Sequence, residues 1–513
     1  MNNTKLKFDK DKIITAIFFI SIFIILFVFY KVVCPIIPND TDDWGIMSHF
    51  RKPIPLWKDW NPSRVFPEVF LPLMLYFTSY IVMPFNNDFI ESLSFTMALV
   101  MGIIVTIYIF LFYLTIKKKF KLSNIESLLF AGFFFALHFI ALNGSSTGHL
   151  FISINLCNYF YYLVPSIMGA ILVMYFIYKD IGSDYRIKKL NVSELIKFGI
   201  LIVLIYLCIF SNVTNSILFV SYVGTKLILN YIKSKNKNLM KFIINNRFYC
   251  LILVAWIISL IYTANGGRVS SVKQGITFSS QLKLVLDYFY TFVLLKIDRK
   301  FLILFVVSII SFIVVYFINK NTNKIEDNDK KYKETMIIAI FSTIITIAFL
   351  ALILADSSED YILRYIARGD VEINYFFYII FAEITSLIYL TKKCNKLYII
   401  LPLLLFILNI YAVNYIITIY PKYALNTNPY NIATVKKIDY YIIEQFKKAD
   451  ENGEDYLELH VPKYGTSDNW PFASYAGNSI SNTLYRAKVT SKLIKTKIIP
   501  DENVNEVVKN VKY

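Results

Sequence analysis

The 513-residue chain has little charge: Asp, Glu, Lys and Arg make up 17% of it, against roughly 25% in an ordinary soluble protein. With 56% hydrophobic residues, it could not hide its apolar surface in water, so a soluble globular domain is excluded. A disordered chain is excluded too, because 38 Tyr and 44 Phe are far more aromatics than such chains carry. Cysteine is scarce: Cys34, Cys157, Cys208, Cys250 and Cys394 are scattered without a CxxC pair, which signals neither a disulfide framework nor a zinc site. They read as small buried apolar residues. No P-loop, GxSxG elbow, HExxH pair or dinucleotide fingerprint is present. There is no internal repeat, and no small-residue cleavage site follows the first apolar run, so that run reads as a retained helix.

What is there is a series of apolar runs. The first, Ile13 to Val33, is long enough at roughly 1.5 Å per residue to span a hydrocarbon core of about 30 Å. Lys5, Lys7, Lys10 and Lys12 precede it, which places the N-terminus in the cytoplasm by the positive-inside rule. Ten further runs lie near 90–116, 124–142, 163–179, 195–211, 216–232, 248–263, 301–319, 335–355, 374–391 and 397–420. Alternating them puts the clusters Lys117 to Lys121, Lys179 to Lys189, Lys226 to Arg247, Lys320 to Lys333 and Lys392 to Lys396 on the cytoplasmic side.

The expected fold is therefore an α-helical polytopic membrane protein of about 11 spans, N-terminus inside and C-terminus outside. Residues 1–420 form the transmembrane domain, with a long first outer loop at 34–89, and residues 421–513 a small extracytoplasmic α/β segment. That segment should hold helices near 432–449 and 501–510 and a strand near 456–461. Two apolar stretches do not fit as crossings. Glu68 to Phe85 would invert every later basic loop and carries Pro72 and Pro84, so it reads as a re-entrant or interfacial pair of short helices. Leu282 to Leu295, with Lys283 and Asp287, reads as an amphipathic surface helix, although Lys296, Arg299 and Lys300 then sit outside against the rule.

Ionisable groups are costly in hydrocarbon, so the informative ones lie where helices end. Asp40, Asp42 and Asp43 follow span 1 directly, with Arg64 and Glu68 further along the same loop. Three acids in four positions can bind a divalent cation such as magnesium or manganese, or supply a carboxylate base. The same acids also suit a solvated loop. The polar turn Asn143 to His149 precedes a half-apolar stretch, Leu150 to Tyr162, that is either a re-entrant segment with His149 near a substrate or a plain loop. Arg268, Arg364 and Arg368 form a third group. The last two, four apart, would share a helical face and could clamp a phosphate, or pair with nearby acids.

This arrangement resembles the GT-C class of polytopic glycosyltransferases, and within it the bacterial O-antigen glucosyltransferase-like families of surface-polysaccharide enzymes. The likeness rests on the topology, the Asp42-Asp43-Trp44 acids in a long first outer loop, and short outer-face helices before span 2. It implies that Asp42 and Asp43 act as base or metal ligand, Asp40 beside them, and that the donor is a polyprenyl-phosphate sugar. The segment Ser467 to Pro471 resembles short outer tails of related bacterial proteins.

The expected activity is transfer of a sugar from that lipid-linked donor to a cell-surface glycan or lipid-linked acceptor, on the outer face of a bacterial cytoplasmic membrane. Arg268, Arg364, Arg368, His149, Arg64 and Glu68 would bind substrate, and Trp44, Trp57 and Trp60 would stack on sugars or anchor the loop. A flippase or exporter, or a polymerase, of lipid-linked polysaccharide is the alternative. Glu383 and His138 are the main ionisable residues inside the proposed spans, a scarcity that argues against ion coupling. The net charge of +17 is largely a topology signal, since 27 of the 53 Lys and Arg fall in the proposed cytoplasmic segments, and gives no argument for nucleic acid.

Overall fold

The structure, a computed structural model, describes residues 10–48, 63–142, 150–186, 191–234, 238–264, 277–322, 326–356, 360–394, 397–418 and 430–510. Long helices dominate it, and the chain is a helical, multi-pass membrane protein. Eight of the described helices are long and apolar enough to cross a membrane, or nine if the bent pair Leu239–Asn245 and Arg247–Thr263 counts as one. Each of the 11 runs expected to span is helical, but three of these helices fall outside the eight or nine. Asn124–Ile140 and Ile400–Tyr415 are apolar but shorter. Val213–Lys233 is long, yet carries Asn215, Ser216, Ser221 and Thr225, all buried. Buried polar groups need partners, and Asn215 finds them by donating to the Tyr162 and Asp370 carbonyls.

Different ion pairs tie the two ends of the bundle. At one end Lys118 pairs with Asp180 at 2.7 Å, Lys392 with Glu126 at 2.7 Å and Lys393 with Asp329 at 3.1 Å. The helix Lys10–Val28 starts here, tied by the Asn124 amide donating to the Asp11 carbonyl at 3.2 Å. It runs to the opposite end, where Lys31 meets Glu91 and the chain turns into the acids from Asp40 onward.

Glu68 to Phe85 differs in detail from a pair of short helices. Phe66–Phe85 is a single 20-residue helix, with π turns at Phe66–Phe70 and Thr78–Val82. Pro67 sits in the first turn of this helix, where a missing N–H costs nothing, and Pro72 follows the first π turn, where its missing N–H removes one intrahelical bond. Both its ends are tied at the same end of the bundle. Before it, the Arg64 amide donates to the Phe210 carbonyl at 2.9 Å. After it, Tyr440 donates to Asp88 at 2.7 Å, and Lys31 and Lys436 both meet Glu91. The helix thus runs along that end.

Phe278–Phe292 is a helix with Val285 buried, Phe289 against Tyr375, and Leu286 and Tyr290 exposed. Lys300 beyond it lies over the Tyr411 ring at 3.8 Å.

The C-terminal segment contains Ile432–Glu451, Tyr456–Pro462 and Glu502–Asn510. It also has a helix, Ala476–Arg486, and a second strand, Lys495–Asp501, which pairs parallel with the first. A parallel pair needs a crossover connection, and the added helix lies in it. Gly477 lets that helix approach the second strand: a Cβ there would sit 2.9 Å from the Thr496 carbonyl oxygen.

Candidate functional site

The first-loop acids lie in and before a short helix, Thr41–Ser48. Its position is fixed from the C-terminal segment. The Thr41 amide and hydroxyl both donate to the Pro471 carbonyl, at 2.9 and 2.7 Å, and the hydroxyl accepts from the Ala473 amide. Thr483 donates to the Trp44 carbonyl at 2.6 Å, and Arg486 donates to the Ser48 carbonyl.

Within this frame the three acids have different surroundings. Asp43 is fully buried. Its carboxylate accepts from the amides of Asn39 at 2.8 Å, Leu156 at 3.2 Å and Cys157 at 2.6 Å, so it closes the N-terminus of the helix that begins at Leu156. Asp40, also buried, accepts from the Asn155 side-chain amide at 2.6 Å and the Asp43 amide at 3.1 Å. Burial pushes its carboxyl up to about 6, the charge of Asp42 adding to the rise and Asn155 opposing it. Burial likewise pushes Asp43 up, with the charge of Asp40 second. Asp42, between them, is exposed.

The segment 150–163 connects the first-loop charges with Arg368 and its partner Asp370. Besides Asn155, Leu156 and Cys157 on the acids, Tyr161 donates to Glu68 at 3.4 Å. Ser153 donates to Asp370, and the Tyr162 ring lies 4.2 Å from the Arg368 guanidinium. The stretch expected to be re-entrant or a loop is instead mostly buried, and from Leu156 it continues as a helix to Lys179. Arg64 has positive φ, 59°, and is half-buried beside Glu68 at the start of Phe66–Phe85.

Arg364 and Arg368 do not share a helical face. The chain makes a 3-10 turn over Arg364–Ala367, and Arg368 is extended, capping the helix Gly369–Lys393. Arg368 is buried in a two-point pair with Asp370, at 3.1 and 2.7 Å, between the rings of Tyr162 and Tyr365. Its Nε and Nη2 donors are taken by Asp370. Arg364 is exposed, its guanidinium 5.4 Å from the Tyr288 ring centre. Arg268, His149, Trp57 and Trp60 lie outside the described residues.

Among the described residues no group of three or more His, Cys, Asp or Glu is gathered as a metal donor set, Asp40, Asp42 and Asp43 included. The oxygens of Asp40 and Asp43 turn to amide donors, and only Asp42 is exposed. Of the two roles expected for Trp44, its full burial, tilted on Phe89 at 6.4 Å, fits the anchoring one.

The structure adds residues that the sequence reading passed over. Asp439 is fully buried on the C-terminal helix, with no hydrogen-bond partner for either carboxylate oxygen among the described residues. Burial pushes it well up, the charge of Asp43 adding to the rise. A signal existed: Asp439 interrupts an apolar stripe of Val435, Ile438, Ile442 and Phe446 at helical spacing. Tyr475 is 61% exposed, and its phenol is raised by partial burial and then by the charge of Asp42.

No known protein family matches the sequence, and no curated protein matches it. Among solved structures, the crystal structure of the Archaeoglobus fulgidus oligosaccharyltransferase in complex with zinc and sulfate is similar with a TM-score of 0.39 and 13% identity. The match covers 94% of this chain and 62% of that one.

Proposed function

We propose that this chain is an integral-membrane glycosyltransferase working at the first-loop end of its bundle, the extracytoplasmic face of a bacterial cytoplasmic membrane. The reading is carried by one observation: Asp42 is an exposed carboxylate between two buried acids whose hydrogen bonds fix its backbone. A base needs that combination of access and fixed position. In the proposed reaction the acceptor hydroxyl oxygen bonds to the sugar's anomeric carbon while the bond from that carbon to the donor phosphate oxygen breaks. The electron pair leaves with the polyprenyl phosphate, and the acceptor proton goes to Asp42. Arg364, exposed at the same end, would offset the phosphate charge. Tyr475 would offer a face to a sugar ring, and Arg268, His149, Arg64 and Glu68 remain proposed substrate contacts.

An ion-coupled exporter has less support. His138 is engaged by the Tyr108 hydroxyl at 2.9 Å and the Phe134 carbonyl at 2.6 Å, and Glu383 accepts from Ser308 at 2.6 Å. His138 is thus held at both ring nitrogens, while Glu383 Oε1 has no hydrogen-bond partner among the described residues. The test is a transfer assay in proteoliposomes with a polyprenyl-phosphate sugar as donor, in which product length separates single transfer from polymerisation. Asp42→Asn should lose turnover roughly 10²–10⁴-fold; full turnover in that variant would overturn the proposal.

A further inference from the structure

At the opposite end of the bundle, far from Asp42, helices Phe89–Phe120, Val164–Lys179, Val213–Lys233, Asp327–Ala355 and Gly369–Lys393 line a cavity of about 180 Å³. Its walls are mostly apolar, with Val173, Phe176, Ile338, Phe377 and Phe381 among them. Its charged lining groups are Lys119, Lys226 and Asp180. Asp180 is engaged by Lys118 at 2.7 Å. Lys226 reaches Glu334 at 3.2 Å, a carboxylate that Lys233 shares at 3.6 Å. Glu334 and Asp180 also act on the Lys119 charge from a distance, with Lys226 and Lys331 opposing them. Lys119 is thus left half-buried at an apolar cavity with no salt-bridge partner among the described residues.

An ammonium partly withdrawn from water without a direct ion-pair contact is costly, and so is an apolar cavity left unfilled. One kind of ligand removes both costs: an anionic phosphate ester carrying a hydrocarbon chain. A phosphate ester brings negative charge to a site where the lysines Lys118, Lys119, Lys226, Lys233 and Lys331 outnumber the acids Asp180 and Glu334. Inorganic phosphate would answer the charge and leave the aromatic walls uncovered.

We infer that this cavity is a second lipid site, which binds a phosphate-ester amphiphile with its headgroup on Lys119 and Lys226 and its chain against Phe176, Phe377 and Phe381. The site is independent of the proposed transfer reaction and would stand if that reading fell.

Native mass spectrometry of the full-length detergent-solubilised protein tests it, with dioleoylphosphatidylglycerol and dioleoylphosphatidylcholine as competing probes. The anionic lipid should be retained in preference to the zwitterionic one. Lys119→Gln should weaken its retention about tenfold, the effect of one charge-assisted contact, and Lys119→Arg should keep it. Ala339→Leu, which narrows the cavity without touching a charge, should also reduce it. Equal retention of the two lipids, or unchanged retention in Lys119→Gln, would overturn the inference. Displacement of the lipid by millimolar inorganic phosphate would overturn the lipid assignment in favour of a soluble phosphate.

Discussion

Asp43 Oδ1 accepts the backbone N–H of Cys157 at 2.6 Å across 114 residues of sequence. This bond joins the first loop to the helix that begins at Leu156, and the amides of Leu156 and Asn39 meet the same carboxylate. Charge-assisted bonds to backbone amides are among the stronger ones. The contact makes the loop's geometry depend on a distant helix end, and Asp42 is carried on the result.

The two neighbouring acids should separate under mutation. Asp43→Ala would leave three buried amides without an acceptor, at roughly 1–3 kcal/mol for each buried group, so its Tm should drop by several degrees and transfer should fall with it. Asp42→Asn should keep the wild-type Tm and lose transfer alone. Thermal unfolding and the proteoliposome assay, run on both variants, check this. Equal Tm losses in the two would show that Asp42 is structural.

Asp40 sets a pH dependence. Its folded carboxyl titrates near 6 against 3.8 when unperturbed, so the folded state holds the proton more tightly. The stability it contributes is fully present below about pH 4 and is lost as pH rises through about 6, a total of about 3 kcal/mol. Tm should therefore decline from pH 4 to pH 7, and Asp40→Asn should make that decline shallower. Asp43 and Asp439 are shifted in the same direction, which leaves a residual slope in the variant. An identical slope in wild type and Asp40→Asn would refute the assignment.

Arg368→Ala should destabilise strongly, by roughly 3–5 kcal/mol, because it strands the buried Asp370. Combining it with Asp370→Ala should recover part of the loss, a coupling that a double-mutant cycle measures. Arg364→Ala should leave Tm unchanged and slow transfer. A stable Arg368→Ala protein with selectively weakened donor binding would instead return Arg368 to the substrate.

The course of Phe66–Phe85 can be read by thiol labelling. Phe85 is 88% exposed at the helix end. Phe85→Cys, in a background where the exposed Cys394 is Ser, should react with an impermeant reagent in intact cells. Reaction only after permeabilisation would mean that this helix crosses the membrane.

Much of this protein was legible in its sequence because solvent acts on each segment separately. Hydrocarbon selects long apolar runs, so the membrane class and the helices at the expected runs followed from composition and run length. The acids at 40–43 could be singled out because three carboxylates in four positions are locally anomalous. Their separate roles could not, since neighbours in sequence face different partners: Asp43 turns to Cys157, Asp40 to Asn155, and Asp42 outward. Arg364 and Arg368 have helical spacing, yet the turn at Arg364–Ala367 and the buried Asp370 part them. The second strand escaped notice because a seven-residue parallel strand has meaning only beside its partner. Tertiary structure alone decided which polar groups are desolvated together. Desolvation depends on what covers a side chain, and here the cover comes from residues hundreds of positions away, as when Pro471 and Ala473 close over Thr41.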